Sequence, residues 1–118
     1  MVRDPELIRK IMLNVQGGDP QAKVNGYAND VVNYHKAQLI KQGLLEGTVN
    51  YPTSKDSVPG IPDFVMIWDI TPAGHDVLAV IASDTKWNHV KAFAARTGRT
   101  LTVEGFKLVL SEYLKHKR

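Results

Sequence analysis

Val32-Asn33-Tyr34-His35-Lys36-Ala37-Gln38-Leu39-Ile40-Lys41-Gln42-Gly43-Leu44-Leu45-Glu46-Gly47 is the stretch on which the fold turns. Just before it, Asn29 or Asp30 can accept from the orphan amides of a helix start, and Gly43 supplies the left-handed residue that closes many helices. A helix is therefore expected from there through Gln42. Beyond Gly43 the periodicity changes: Leu44 to Tyr51 and Phe64 to Ile70 are rich in apolar, β-branched and aromatic residues. Between them lie Pro52, Ser54, Asp56, Ser57, Pro59, Gly60 and Pro62, so the pair is expected to form a hairpin with a long tip.

Working outward, Pro5 to Val15 has Leu7, Ile8, Ile11, Met12 and Val15 at helical spacing, with Asp4 as the expected cap and Gly17-Gly18-Asp19-Pro20 as the stop. Ala22 to Ala28 is too short, and Gly26 too permissive, to predict a helix there. Downstream, Thr71-Pro72 restates a helix start, followed by Val77, Leu78 and Ile81. Asp84 is the expected cap of a helix from Thr85 to about Thr97, with Trp87, Val90, Phe93 and Ala94 on one face and Gly98 after it. Thr102 is the expected cap of a last helix carrying Val103, Phe106, Leu110 and Tyr113.

The order helix, helix, hairpin, helix predicts a winged helix-turn-helix, mainly α with a small β-hairpin and additional C-terminal helices. One domain is expected over residues 1–118, with a core at about 3–83 and a C-terminal extension at about 84–118.

Composition narrows the function classes. The 118 residues are 43% hydrophobic and 23% charged, and no apolar stretch approaches the roughly 20 residues of a membrane span. The start shows no signal-peptide pattern, and no cysteine offers a disulfide or a thiolate zinc site, so a cytoplasmic protein is expected. The net charge of +3 is unevenly spread: +2 over residues 1–42, −5 over 43–85 and +6 over 86–118. An acidic middle repels phosphate, whereas a basic end attracts it.

On the predicted second helix, Val32, His35 and Leu39 share one side, and Asn33, Lys36, Ala37, Ile40 and Lys41 point roughly the other way. Asn33 matches adenine edges, Lys36 and Lys41 match guanine or phosphate, Tyr34 flanks them, and Lys55 is the wing's one base. The alternative is a solvated face that reads nothing. The wing also carries Glu46, Asp56, Asp63 and Asp69, and Asp56 with Asp63 would suit a basic protein surface instead. Val103, Phe106, Leu110 and Tyr113 form a seam that packs either on the domain's own core or on a second copy as a homodimer.

His35, His75, His89 and His116 have no companion at metal-ligand spacing, and His35 and His75 are expected to serve as hydrogen-bonding anchors. Asp63 with Asp84 and Lys86 formally fits a two-carboxylate nuclease pattern, but a position at a helix start explains Asp84 better as a cap. No Walker loop, dinucleotide fingerprint or Gly-x-Ser-x-Gly elbow occurs. No enzyme, metal or cofactor is expected.

Arg3-Asp4 with Leu7-Ile8-Arg9-Lys10-Ile11, the Tyr34-His35 pair, Gly74-His75-Asp76 and Asp84-Thr85-Lys86-Trp87-Asn88-His89-Val90-Lys91 together resemble the YjcQ-like, phage- and prophage-associated family of uncharacterised winged-helix proteins. The resemblance implies the architecture and a mobile-element setting, but no activity. Two functions are therefore expected in competition. The first is a DNA-binding phage or prophage regulator; the alternative is a module that docks on a host or phage protein through the acidic wing or the helix face, without DNA binding.

Overall fold

Helical spacing buries Leu7, Ile8, Ile11, Met12 and Val15 along one side of α1 (Pro5–Gln16). A computed structural model describes residues 5–51 and 61–116, and adds α2 (Asn29–Lys41), β1 (Leu45–Asn50), β2 (Phe64–Ile70), α3 (Pro72–Ile81), α4 (Asp84–Arg96) and α5 (Phe106–His116). The antiparallel pair β1-β2 follows the second helix, and the whole is a winged helix-turn-helix with added C-terminal helices. The expected Asp4 cap and the wing-tip residues Lys55 and Asp56 lie outside the described residues.

Several helix starts differ from expectation. Asn29 and Asp30 both lie inside the first turn of α2, whose cap position is Ala28, with no side-chain capping bond. Ser83 caps α4 by accepting from the Lys86 amide, because its extended backbone precedes the turn that Asp84 already belongs to. Asp84 instead accepts from Arg9 Nη2, while Arg9 Nε donates to the Ile81 carbonyl at 2.7 Å. Thr102 does accept from the Gly105 amide, at 3.3 Å, but Val103 sits in the turn before α5 rather than on it. The expected Thr71 cap is present, and its hydroxyl accepts from the Gly74 amide.

The joint between α2, the wing and α3 is tight. Gly43 has φ +78°, the left-handed conformation that ends α2 without steric cost. Thr71 Oγ1 donates to the Gly43 carbonyl at 2.6 Å, and the Thr71 amide donates to the Leu44 carbonyl. A Cβ on Gly74 would lie 2.0 Å from that Leu44 oxygen and 2.7 Å from Ile70 Cγ2. The first turn of α3 thus rests directly on the strand entrance, and glycine alone allows it.

A bulge decides which side of β2 faces the core. Gly47 pairs with Ile67 and Glu46 with Asp69, leaving Trp68 as the extra residue. Strict alternation would turn Asp69 inward with Val65 and Ile67. The bulge keeps Trp68 and Asp69 exposed and returns Ile70 to the core, and the Ile70 amide donates to Asp69 Oδ1 at 2.7 Å.

One apolar cluster draws on every element. The C-terminal helices join it through Trp87 against Phe106 and Phe93 against Tyr113, with ring centroids 6.3 and 5.8 Å apart. Glu6 Oε1 accepts from Trp87 Nε1 and Lys91 Nζ, each at 2.8 Å, tying α1 to α4.

Burial raises the Glu6 carboxyl's pKa, but the bonds from Lys91 and Trp87 and the charges of Lys91 and Arg9 outweigh it and hold the group below its usual 4.5. Its contribution to stability is therefore present above 4.5 and lost as pH falls through the lower folded value. Glu6→Gln is expected to flatten the acid limb of a stability-against-pH curve measured by chemical denaturation. Gly74→Ala is expected to lower stability by about 2 kcal/mol or more, read from the same denaturation curves, because the Leu44 carbonyl has nowhere to move.

Candidate functional site

Helix α2 holds the residues that a DNA reader would use, and most of its surface is covered. Lys36 is 7% exposed and Ala37 5%. Ile40 lies against the wing, where a Cβ on Gly47 would come within 2.9 Å of its Cδ1. On the flank, Tyr34 Oη donates to Glu104 Oε2 at 2.6 Å. At the C-terminal end, Gln42 Nε2 donates to the Val103 carbonyl, and Lys107 donates through its amide to Gln42 Oε1 and through Nζ to the Gln42 carbonyl. Of the proposed groove-reading side chains, Lys41 is exposed and Asn33 partly so. Tyr34 is held by Glu104, and the stem of Lys36 is buried in the wall of a cleft beside α2.

The cover exists because no helix stands between α1 and α2. Residues 17–28 form turns and extended chain, in which Val24 is buried and Gln21 Nε2 donates to the Ile67 carbonyl at 2.7 Å. With no separate scaffold helix, α2 packs directly against α1, β1 and β2 and serves as a core helix. The expected seam is likewise internal: Val103, Phe106 and Leu110 are fully buried and Tyr113 is nearly so. These side chains fill the chain's own core.

The histidines divide in the same way. His35 is fully buried and its Nδ1 donates to the Val31 carbonyl at 2.8 Å, while His75 and His89 are exposed. Among the described residues no three His, Asp or Glu side chains gather at metal-binding spacing. Asp63 is on the wing, and Asp84 with Lys86 opens α4, so the formal nuclease pattern is not assembled.

Among the described residues two features stand out. The outer face of the wing carries Phe64, Met66 and Trp68 at 51%, 39% and 59% exposure. Thr48 and Asn50 stand opposite on β1, and Glu46, Asp63 and Asp69 are exposed beside the stripe. The strand was legible as apolar, but its outward stripe was not identified from sequence. The signal was available: Phe64, Met66 and Trp68 alternate with Val65 and Ile67, and a hairpin packed on one core buries only one of two apolar faces. The second feature is a cleft between the N-terminal half of α2, the 21–24 segment and β2, lined in part by Asn33, Lys36 and Asp63.

A model of the family described as Hypothetical protein (DUF2513) matches residues 2–100. The chain belongs to that family. No curated protein and no solved structure matches it. The motifs that resemble the YjcQ-like proteins thus sit in a DUF2513 chain, and the family description carries no activity. Among the described residues of this DUF2513 domain, no helix is long and apolar enough to cross a membrane.

Burial pushes the Lys36 ammonium below its usual 10.5. The unfolded chain then binds the proton more tightly than the folded one, so folding gains stability as pH rises from the lowered value toward 10.5. Lys36→Met is expected to raise stability at neutral pH and to remove that alkaline gain, measured by urea denaturation across the range.

Proposed function

We propose that this DUF2513 domain is a protein-interaction module, in the mobile-element setting that its sequence resemblance implies. Its wing docks on a host or phage protein that presents an apolar centre rimmed by basic residues. The exposed stripe Phe64, Met66 and Trp68 carries this reading, because aromatic and methionine side chains on a sheet face are costly to leave in water and are enriched at protein interfaces. The acidic side chains Glu46, Asp63 and Asp69 beside it set the sign of the partner. They repel a phosphate backbone and attract lysine and arginine.

The competing DNA-regulator reading loses its main support with the burial of Lys36 and Ala37, since a recognition helix needs its reading face clear of the protein's own body. Among the described residues, three of the C-terminal bases are already bonded within the chain. Lys91 is paired with Glu6, Arg99 with Glu112, and Lys107 is bonded to Gln42, which leaves Lys86, Arg96 and Lys115 among the exposed ones.

The test is affinity capture with crosslinking from a host lysate. It compares the parent chain with a Phe64→Ser, Trp68→Ser double variant and an Asp63→Asn, Asp69→Asn double variant. Both variants are expected to melt like the parent, since the altered side chains are exposed, and to capture the crosslinked partner at least about tenfold less well. Crosslinks should map to β2. The proposal fails if capture survives both variants, or if the domain binds duplex DNA at low salt in a manner weakened by Lys41→Ala.

A further inference from the structure

The cleft beside α2 has a volume of about 670 Å³, within the range that holds small organic ligands. Val24, Val32 and Val65 are its buried apolar lining, and Phe64 and Met66 are exposed along the wing side. Lys36 as a whole is more than nine-tenths buried where it lines the wall, its ammonium reaches the solvent of the cleft, and no described residue offers that ammonium a hydrogen bond or an ion pair. The stem is covered while the charged head stays in the water of the cleft, so an anion there would meet a cation with no protein partner to displace. The lining also includes Asn29 and Asn33, whose amides are donors, and the first turn of α2, which has no side-chain cap.

We infer that this cleft binds a small organic oxyanion, a carboxylate or a phosphate ester, with its charged group on Lys36 and Asn33 and its apolar part along Phe64 and Met66. Asp30 and Asp63 also line the cleft, but both are exposed. Water screens their repulsion at the mouth, whereas Lys36 stands in the cleft wall, its stem covered by the protein. The two aspartates limit the ligand to one that carries its charge inward and exposes little at the mouth. The site is independent of the wing's proposed protein contact except at Asp63, Phe64 and Met66, which belong to both.

The test follows backbone amide chemical shifts of the full chain during titration with benzoate, phenyl phosphate and benzylamine, three probes of similar shape. Either anion is expected to move the Asn29, Asn33 and Val65 amides saturably, and benzylamine is not. Preference between the anions distinguishes a carboxylate ligand from a phosphate ester. Lys36→Met, and separately Lys36→Gln, should keep the fold, as judged by an unchanged or higher melting temperature, and weaken anion binding at least about tenfold. The inference is overturned if neither anion saturates, if benzylamine binds as well as they do, or if either folded variant binds like the parent. Should both variants unfold, the contrast between anions and benzylamine still decides it.

Discussion

The first turn of α3 sits on the carbonyl of Leu44, and the rest of the molecule is arranged around that contact. A Cβ at Gly74 would stand 2.0 Å from the oxygen, so the approach is open only to glycine. Thr71 reinforces it from both sides, capping α3 through Gly74 and donating to the carbonyl of Gly43 at the end of α2. The end of one helix, the entrance to the wing and the start of the next helix become one rigid joint. From there the hairpin packs against α2, and α3 carries the chain back to α1, where Arg9 Nε donates to the Ile81 carbonyl at the end of α3.

That geometry gives α2 an unusual position for a helix of its kind. In a typical winged helix a preceding helix supports the recognition helix from behind and leaves its reading face open. Here residues 17–28 make no such helix, so α2 is itself the support, with α1 and the wing packed directly on it and the α5 entrance closing its end. Burial of Lys36 follows from this crowding. Among the described residues, the far side of the hairpin and the cleft beside the short 21–24 segment stay open, and both functional readings rest there.

Much of this was legible beforehand. The α2 stop at Gly43, the hairpin on either side of the Pro- and Gly-containing tip, the Thr71-Pro72 restart and the apolar stripe of α4 each rest on local backbone preference or on a repeat within one element. The absence of a helix over residues 22–28 was visible for the same reason. What local pattern misjudged were neighbours. Asp84 looked like a cap until Ser83, one residue earlier, took the role, and Asp84 turned to Arg9, 75 residues away in sequence. The seam of Val103, Phe106, Leu110 and Tyr113 left open whether its cover was a second copy or the chain itself, and the rings of Trp87 and Phe93 supply that cover.

The sequence by itself determined the elements, their order and the acidic character of the wing, because helix periodicity, glycine at left-handed positions and charge are properties of short segments. Only the tertiary structure decided which faces remained free. Periodicity sorts the residues of α2 into sides, but it says nothing about whether a partner 65 residues further on, such as Lys107 at Gln42, will close over one of them. The bulge at Trp68 makes the same point on the wing. It turns two consecutive residues outward, an outcome set by pairing with Glu46 and Gly47 rather than by alternation along β2 itself.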